Sequence, residues 1–156
     1  MLRIPYDHLK SDRPESYDTI RYLPIVNNEN SLINNNVINI FQSRDRTVWI
    51  SGTYFLQTFS KEDASFDLFQ MYDGTEIVED ENNDIWISGN TIPGLIHYSA
   101  ESNSVKIFGE DHPGLANIDG LIASESYIWI IRNSKLVRFN NKNDDISSYR
   151  LDIGQK

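Results

Sequence analysis

The sequence predicts an all-β protein assembled from one four-stranded unit used repeatedly, and three observations carry that expectation. The phrases "TVWISGT", "DIWISGN" and "YIWIIRN", at Thr47 to Thr53, Asp84 to Asn90 and Tyr127 to Asn133, state one tryptophan-isoleucine pattern three times. Aromatic residues then recur at matched distances: Phe59 and Phe69 follow Trp49 by ten and twenty residues, and Phe139 and Tyr149 follow Trp129 likewise. Trp86 is followed by Tyr98 and Phe108, with two residues inserted before the first. Finally, a leucine stands three residues before each first aromatic, at Leu56, Leu95 and Leu136. The tryptophans are 37 and 43 residues apart, which suits four short strands and their turns.

Each strand follows from a period of two, since alternate side chains of a strand face the same way. The first unit reads "VINIF" (Val37 to Phe41), "TVWIS", "YFLQTF" and "SFDLF". The second reads "EIVED", "DIWIS", "GLIHYS" and "SVKIF", and the third "IDGLIAS", "YIWII", "KLVRFN" and "ISSYRL". Between them stand "SRDR", "ENND", "SKED", "SAESNS" and "NNKNDD", whose Asn, Asp and Ser satisfy turn backbones locally and tolerate left-handed conformations. No segment sustains helical spacing, so almost no helix is expected. The N-terminal stretch resembles the last two strands of such a unit, with Leu2 to Tyr6 as third strand and Asp18 to Leu23 as outer strand.

Four-stranded meanders repeated at this period form the blades of a β-propeller. The fold expected is therefore a β-propeller segment of about three and a half four-stranded blades. Residues 1–24 would supply the last two strands of a preceding blade, and 30–70, 75–109 and 114–151 the three whole blades. Trp49, Trp86 and Trp129 are expected to fill the gaps between sheets, with Leu56, Leu95, Leu136, Phe59, Tyr98 and Phe139 as the repeated core around them. A ring of this kind normally closes, and the half-blade lacks its inner strands. The remaining blades of a longer parent chain are thus the expected partners, because unpaired blade faces would leave apolar surface bare.

Composition narrows the function classes. The 156 residues carry 14 basic and 23 acidic side chains, a net charge of −9 that repels a phosphate backbone and disfavours nucleic acid as a partner. There is no cysteine, so disulfides, thiolate chemistry and cysteine-ligated metals are excluded. The sequence shows neither the apolar core of a signal peptide nor a run near the ~20 apolar residues of a membrane span, so direct membrane insertion by this segment is not expected.

On these residues the chain resembles the two-component regulator propeller repeat of bacterial signalling proteins, whose units look like L-x-x-N-x-V-x-x-I-x-x-D-x-x-G-x-[LI]-W-I-G-T-x-x-G-L-x-x-[FY]. The match runs through Leu32, Asn35, Val37, Ile40, Trp49, Ile50 and Thr53, and again through Asp80, Ile85, Trp86, Ile87, Gly94, Leu95 and Tyr98. It recurs more loosely around Trp129 and covers nearly the whole chain. The turn glycine three residues before each tryptophan is replaced by Arg46, Asn83 and Ser126; Arg and Ser there suggest altered turns. The resemblance implies the periplasmic sensor of a membrane-spanning hybrid histidine kinase, detecting an oligosaccharide or similar small ligand and signalling through a dimer. The chain itself holds no kinase motif, and a non-catalytic module without cofactor is expected.

"DENND" sets Asp80, Asn82 and Asp84 at calcium-loop positions one, three and five, but Ile85 and Thr91 occupy those requiring glycine and glutamate, so a solvated turn is expected. His8, His97 and His112 are scattered and show no zinc spacing, and no metal site is expected. Acidic pairs such as Asp80 and Glu81, Glu62 and Asp63, or Glu110 and Asp111 lie in turns, where charge is usually solvated rather than catalytic. Ligand contacts are more plausible on loops entering the inner strands, where Asn34, Asn35, Asn36, Asn117 and Asp119 could bond sugar hydroxyls or satisfy loop backbone. Tyr54 and Tyr127 are weaker stacking candidates. The rival readings are a protein-interaction scaffold and a propeller polysaccharide hydrolase or lyase.

Overall fold

A computed structural model describes residues 20–70, 74–89, 94–109 and 112–150. Three four-stranded antiparallel meanders follow in chain order. The first holds β1 (Val37–Gln42), β2 (Val48–Gly52), β3 (Phe55–Ser60) and β4 (Ser65–Gln70). The second holds β5 (Glu76–Glu79), β6 (Ile85–Gly89), β7 (Gly94–Ser99) and β8 (Ser104–Phe108). The third holds β9 (Gly120–Ser124), β10 (Tyr127–Arg132), β11 (Lys135–Asn140) and β12 (Ile146–Arg150). The one helical turn among the described residues is a 3-10 turn at Pro113–Leu115. The inner strands β1, β5 and β9 lie side by side. This is the propeller-like, all-β architecture read from the sequence.

The half-blade is not reproduced where it can be seen. Leu2 to Tyr6 lies outside the described residues, and Ile20 to Leu23, the described part of the expected outer strand, has no strand assignment. A strand needs a ladder partner, and none faces this segment among the described residues. Its Tyr22 nevertheless packs edge-on against Phe59 and Phe66, with centroids 5.0 and 5.5 Å away.

The register shows what the tryptophans do. Directly opposed residues of an antiparallel pair share a face, so the opposition of Trp49 to Phe41 and Thr58 defines one face of the first sheet. That face, with Leu56, packs on Ile77, Ile85, Ile87 and Ile96 of the second sheet. The second sheet turns Trp86, Leu95 and Phe108 onto Leu121, Ile128, Ile130, Val137 and Phe139 of the third. Trp49 and Trp86 are consequently 4% and 1% exposed. Phe59 and Tyr98 are half-buried, the latter tilted against Trp49 at 5.7 Å.

The third tryptophan differs. Trp129 and Leu136 are only half-buried, because the face they share has no sheet against it among the described residues.

Turn geometry explains how the phrase tolerates its departures. Arg46 and Asn83 keep the left-handed conformation a turn glycine would have, at φ 73° and 65°, so arginine does not alter the first turn as expected from sequence. Both turns close identically, Ser43 N–H to Thr47 O at 3.0 Å and Asp80 N–H to Asp84 O at 3.0 Å. In the third unit the turn shrinks to Glu125 and Ser126, with Glu125 rather than Ser126 at positive φ. That turn is the altered one.

In the first turn, the Ser43 hydroxyl and then the Thr47 N–H donate to Asp45 and hold its carboxyl below its ordinary value of 3.8. A depressed folded value stabilises the fold above the unfolded value and loses that contribution as pH falls through the folded one. An NMR titration should place the Asp45 carboxyl below an unfolded-peptide reference, and Ser43→Ala should raise it toward that reference.

Candidate functional site

Two ends of the sheets carry the polar chemistry. Each inner strand enters from one end, and the turn between second and third strands returns to that same end; the other two turns lie at the far end. Entry-end loops carry all five of the polar ligand candidates, Asn34, Asn35, Asn36, Asn117 and Asp119.

Buried Gln57 on β3 fixes the first entry loop, its amide donating to Ser31 O at 3.0 Å and its carbonyl accepting from Ile33 N–H at 3.0 Å. The loop then ties to the turn after β2. Asn34 Nδ2 donates to Thr53 O at 3.1 Å, Asn36 Nδ2 to Thr53 Oγ1 at 2.5 Å, and Asn36 N–H to Asn34 Oδ1 at 2.8 Å. Asn35 is exposed and makes no side-chain hydrogen bond among the described residues. In the third unit, Asp119 Oδ2 accepts Asn133 N–H at 3.0 Å while Asn117 stands exposed at φ 53°. Of the five candidates, Asn34 and Asp119 thus hold backbone and Asn36 holds the Thr53 hydroxyl, while Asn35 and Asn117 present amides without hydrogen-bond partners among the described residues at the same end.

These two loops belong to the first and third sheets, with the entry to β5 between them. There Ser51 Oγ donates to Gly74 O at 2.6 Å and Asn39 Nδ2 to Thr75 O at 3.1 Å, locking the first sheet to the second. Tyr54 is at this end, 60% exposed at φ 64°. Tyr127 is not: it begins β10 at the far end, under the Arg138 guanidinium 4.7 Å from its ring, and so cannot join Tyr54 in one stacking site.

The described hollows lie elsewhere. A cavity of about 270 Å³ is lined by Tyr22, Ile25, Asn30, Ala64 and Phe66, and a shallower groove of about 870 Å³ by Val26, Leu32, Asp67 and Leu68. Both border the outer edge of the first sheet near Ile20, where the described chain begins, and contain none of the five candidates.

At the far end, the expectation of a solvated "DENND" turn fails for Asp80, which is 2% exposed. Its carboxylate accepts from Asn82 and Asp84 N–H at 2.9 and 3.2 Å, from the Trp86 indole N–H at 2.9 Å, and from Asn141 Nδ2 on the third sheet at 3.1 Å. Four donors replace hydration, and this makes burial of the charge tolerable. Ser43 fills the same role for Trp49, accepting its indole N–H at 3.3 Å. An acceptor six residues before a tryptophan was the sequence signal for this role. His97, expected on a sheet face, is there: it stacks on Trp86 at 4.1 Å and pairs with Asp84 Oδ2 at 2.9 Å. His112 packs edge-on to Phe108 at 5.4 Å, and His8 lies outside the described residues. No cluster of three or more metal-ligating side chains occurs among the described residues.

Asp80→Asn keeps the volume but removes the charge and turns an amide toward some of these donors. It is expected to cost about 1.5–3 kcal/mol, the worth of hydrogen bonds to a charged group, in chemical denaturation. Glu81→Gln, on the exposed neighbour, should change stability by less than about 0.5 kcal/mol.

The chain matches no family model and no curated protein. Among solved structures it is similar to the extracellular domain assigned to a hybrid two-component system of B. thetaiotaomicron, at 21% identity and TM-score 0.67, over 83% of this chain and 19% of that one. It is also similar to a streptogramin B lyase, at 15% identity and TM-score 0.65, over 80% of this chain and 44% of that one. A Staphylococcus aureus virginiamycin B lyase, solved inactive with quinupristin, matches at 13% identity and TM-score 0.62, over 80% and 45%. The chain therefore spans about a fifth of that extracellular domain and under half of each lyase. At these identities the likeness establishes the fold. Among the described residues no helix is long and apolar enough to cross a membrane.

Proposed function

We propose that this chain is part of the periplasmic ligand-sensing propeller of a two-component signalling protein, non-catalytic in itself and recognising an oligosaccharide or similar polar small molecule. The supporting observation is the entry end, where the sheets hold loops that carry exposed amides at Asn35 and Asn117 beside backbone fixed by Asn34 and Asp119 and a Thr53 hydroxyl held by Asn36. Amides on pre-formed loops suit sugar hydroxyls, which both donate and accept. The likeness to a two-component extracellular domain over 83% of the chain favours the same reading. Ligand binding would bias the arrangement of two propeller-bearing protomers.

Calorimetric titration of the complete ectodomain with a broad glycan panel is expected to give saturable binding by at least one glycan. Asn35→Ala and Asn117→Ala together should weaken it, each lost hydrogen bond costing about 0.5–1.5 kcal/mol. No binding across the panel would count against the sensor reading. The lyase neighbours favour one alternative, a propeller polysaccharide hydrolase or lyase. That reading requires turnover in the same reactions, abolished by loss of a single carboxylate or histidine. Capture of a protein partner with no glycan response would instead favour a scaffold.

A further inference from the structure

Tyr54 closes the two-residue turn from β2 to β3 at φ 64°, and is the one aromatic residue at positive φ among the described residues. It is also 60% exposed, more than any other aromatic side chain described. A bulky side chain is strained in the left-handed region, whereas asparagine tolerates it. The matching turn of the third sheet uses Asn133 and Ser134 at φ 46° and 58°, with asparagine first as such hairpins favour. Hairpin geometry alone therefore does not call for tyrosine in the first sheet.

The conformation is held from outside, by the loop entering β1. Thr53 N–H donates to Asn36 O at 3.3 Å, Asn34 Nδ2 donates to Thr53 O at 3.1 Å, and Asn36 Nδ2 donates to Thr53 Oγ1. Two asparagines thus engage the amide, the carbonyl and the hydroxyl of the residue directly before Tyr54. Asn34 Oδ1 accepts Asn36 N–H at 2.8 Å and stiffens the loop, and an added Cβ on Gly52 would collide with Asn36 O. Asn35, exposed, stands between the two clamping residues.

The surroundings are uncharged. Residues 30–42 and 47–60, which contain this loop, β1, β2, β3 and the turn, include no Asp, Glu, Lys, Arg or His. An ionic ligand would find no counter-charge on them, while a neutral ligand with an apolar face and hydroxyl groups would find a ring and an amide.

We infer that Tyr54 is a platform for the C–H face of an uncharged pyranose whose hydroxyls Asn35 bonds, and that Asn34 and Asn36 are positioning residues that keep this platform in its strained conformation. The inference rests on the sensing role proposed for the entry end and names the class of ligand taken there. Strain confined to a recognition residue lowers stability but leaves the ring in place before the ligand arrives.

Calorimetry of the complete ectodomain with cellotetraose, xylotetraose, mannotetraose and galactotetraose tests this, together with thermal unfolding of the 156-residue chain. At least one tetrasaccharide should bind. Tyr54→Asn should weaken that binding about tenfold and raise the melting temperature of the chain by a few degrees. Tyr54→Phe, which keeps both ring and strain, should bind within about threefold of the unaltered protein. Asn36→Ala should weaken binding several-fold on its own and add nothing to Tyr54→Asn, a coupling that an asparagine touching the sugar independently would not show. Binding of none of the four would overturn the inference, and the broad glycan panel would then decide the sensing role separately. Binding that Tyr54→Asn leaves unchanged would overturn it with the sensing role standing, as would a melting temperature that this substitution fails to raise.

Discussion

Trp86→Ala is expected to lower the stability of the chain by about 3–5 kcal/mol, the range for truncating a buried aromatic residue. The indole is 1% exposed between the second and third sheets, stacked on His97 at 4.1 Å and packed near Phe108 and Phe139 at 6.0 and 5.7 Å. Its removal opens a cavity in the larger apolar cluster and deprives the buried Asp80 carboxylate of one donor. At this chain length each kcal/mol shifts the melting temperature by roughly 2–4 °C, so thermal unfolding should fall by roughly 6–20 °C. Trp129→Ala in the same chain should cost well under half as much, because Trp129 is only half-buried. Trp86→Phe separates the terms by restoring most of the volume while leaving Asp80 one donor short.

Gly94→Ala should be comparably damaging for a different reason. Gly94 opens β7 at φ +133°, a conformation side chains rarely adopt, and an added Cβ would stand 1.7 Å from the Phe108 carbonyl oxygen. Either the backbone leaves that conformation or β8 withdraws from β7, where Leu95 opposes Phe108 at the edge of the sheet-to-sheet contact. A cost of about 3 kcal/mol or more is expected, at the upper end for a single substitution. Denaturant titration measures it, and loss of amide protection in β7 and β8 would locate the damage. Gly120→Ala is the control, since nothing lies within 4 Å of the added atom.

These two sites show what the sequence made legible. Trp86 was readable because a bulky aromatic recurring at a fixed place in a two-residue period must fill the space between sheets. Gly94 was readable only as a match to a repeat, and its positive φ required the structure. Strand order needed no long-range information, since each meander pairs neighbours in sequence.

The polar parts were harder to read. Asp80 looked like a solvated turn residue because sequence shows local turn chemistry but not Asn141, which approaches from sixty-one positions away. Asn34 and Asn36 were read correctly as loop residues, yet their choice between ligand and backbone depended on Thr53 and on the Gln57 clamp. The third tryptophan was expected to be core like the others. Its half-exposed state reflects the sheet that neighbours it on one side only among the described residues, a property of assembly rather than of local pattern.

The stacking of three sheets with a tryptophan sealed in each of two joints is tested most directly by fluorine NMR of the chain labelled with 5-fluorotryptophan, each resonance assigned by a single Trp→Phe variant. Trp49 and Trp86 should show almost no shift between H₂O and D₂O, and Trp129 a clear one. Three equal solvent shifts, or a solvent-exposed Trp86, would contradict the stacked architecture.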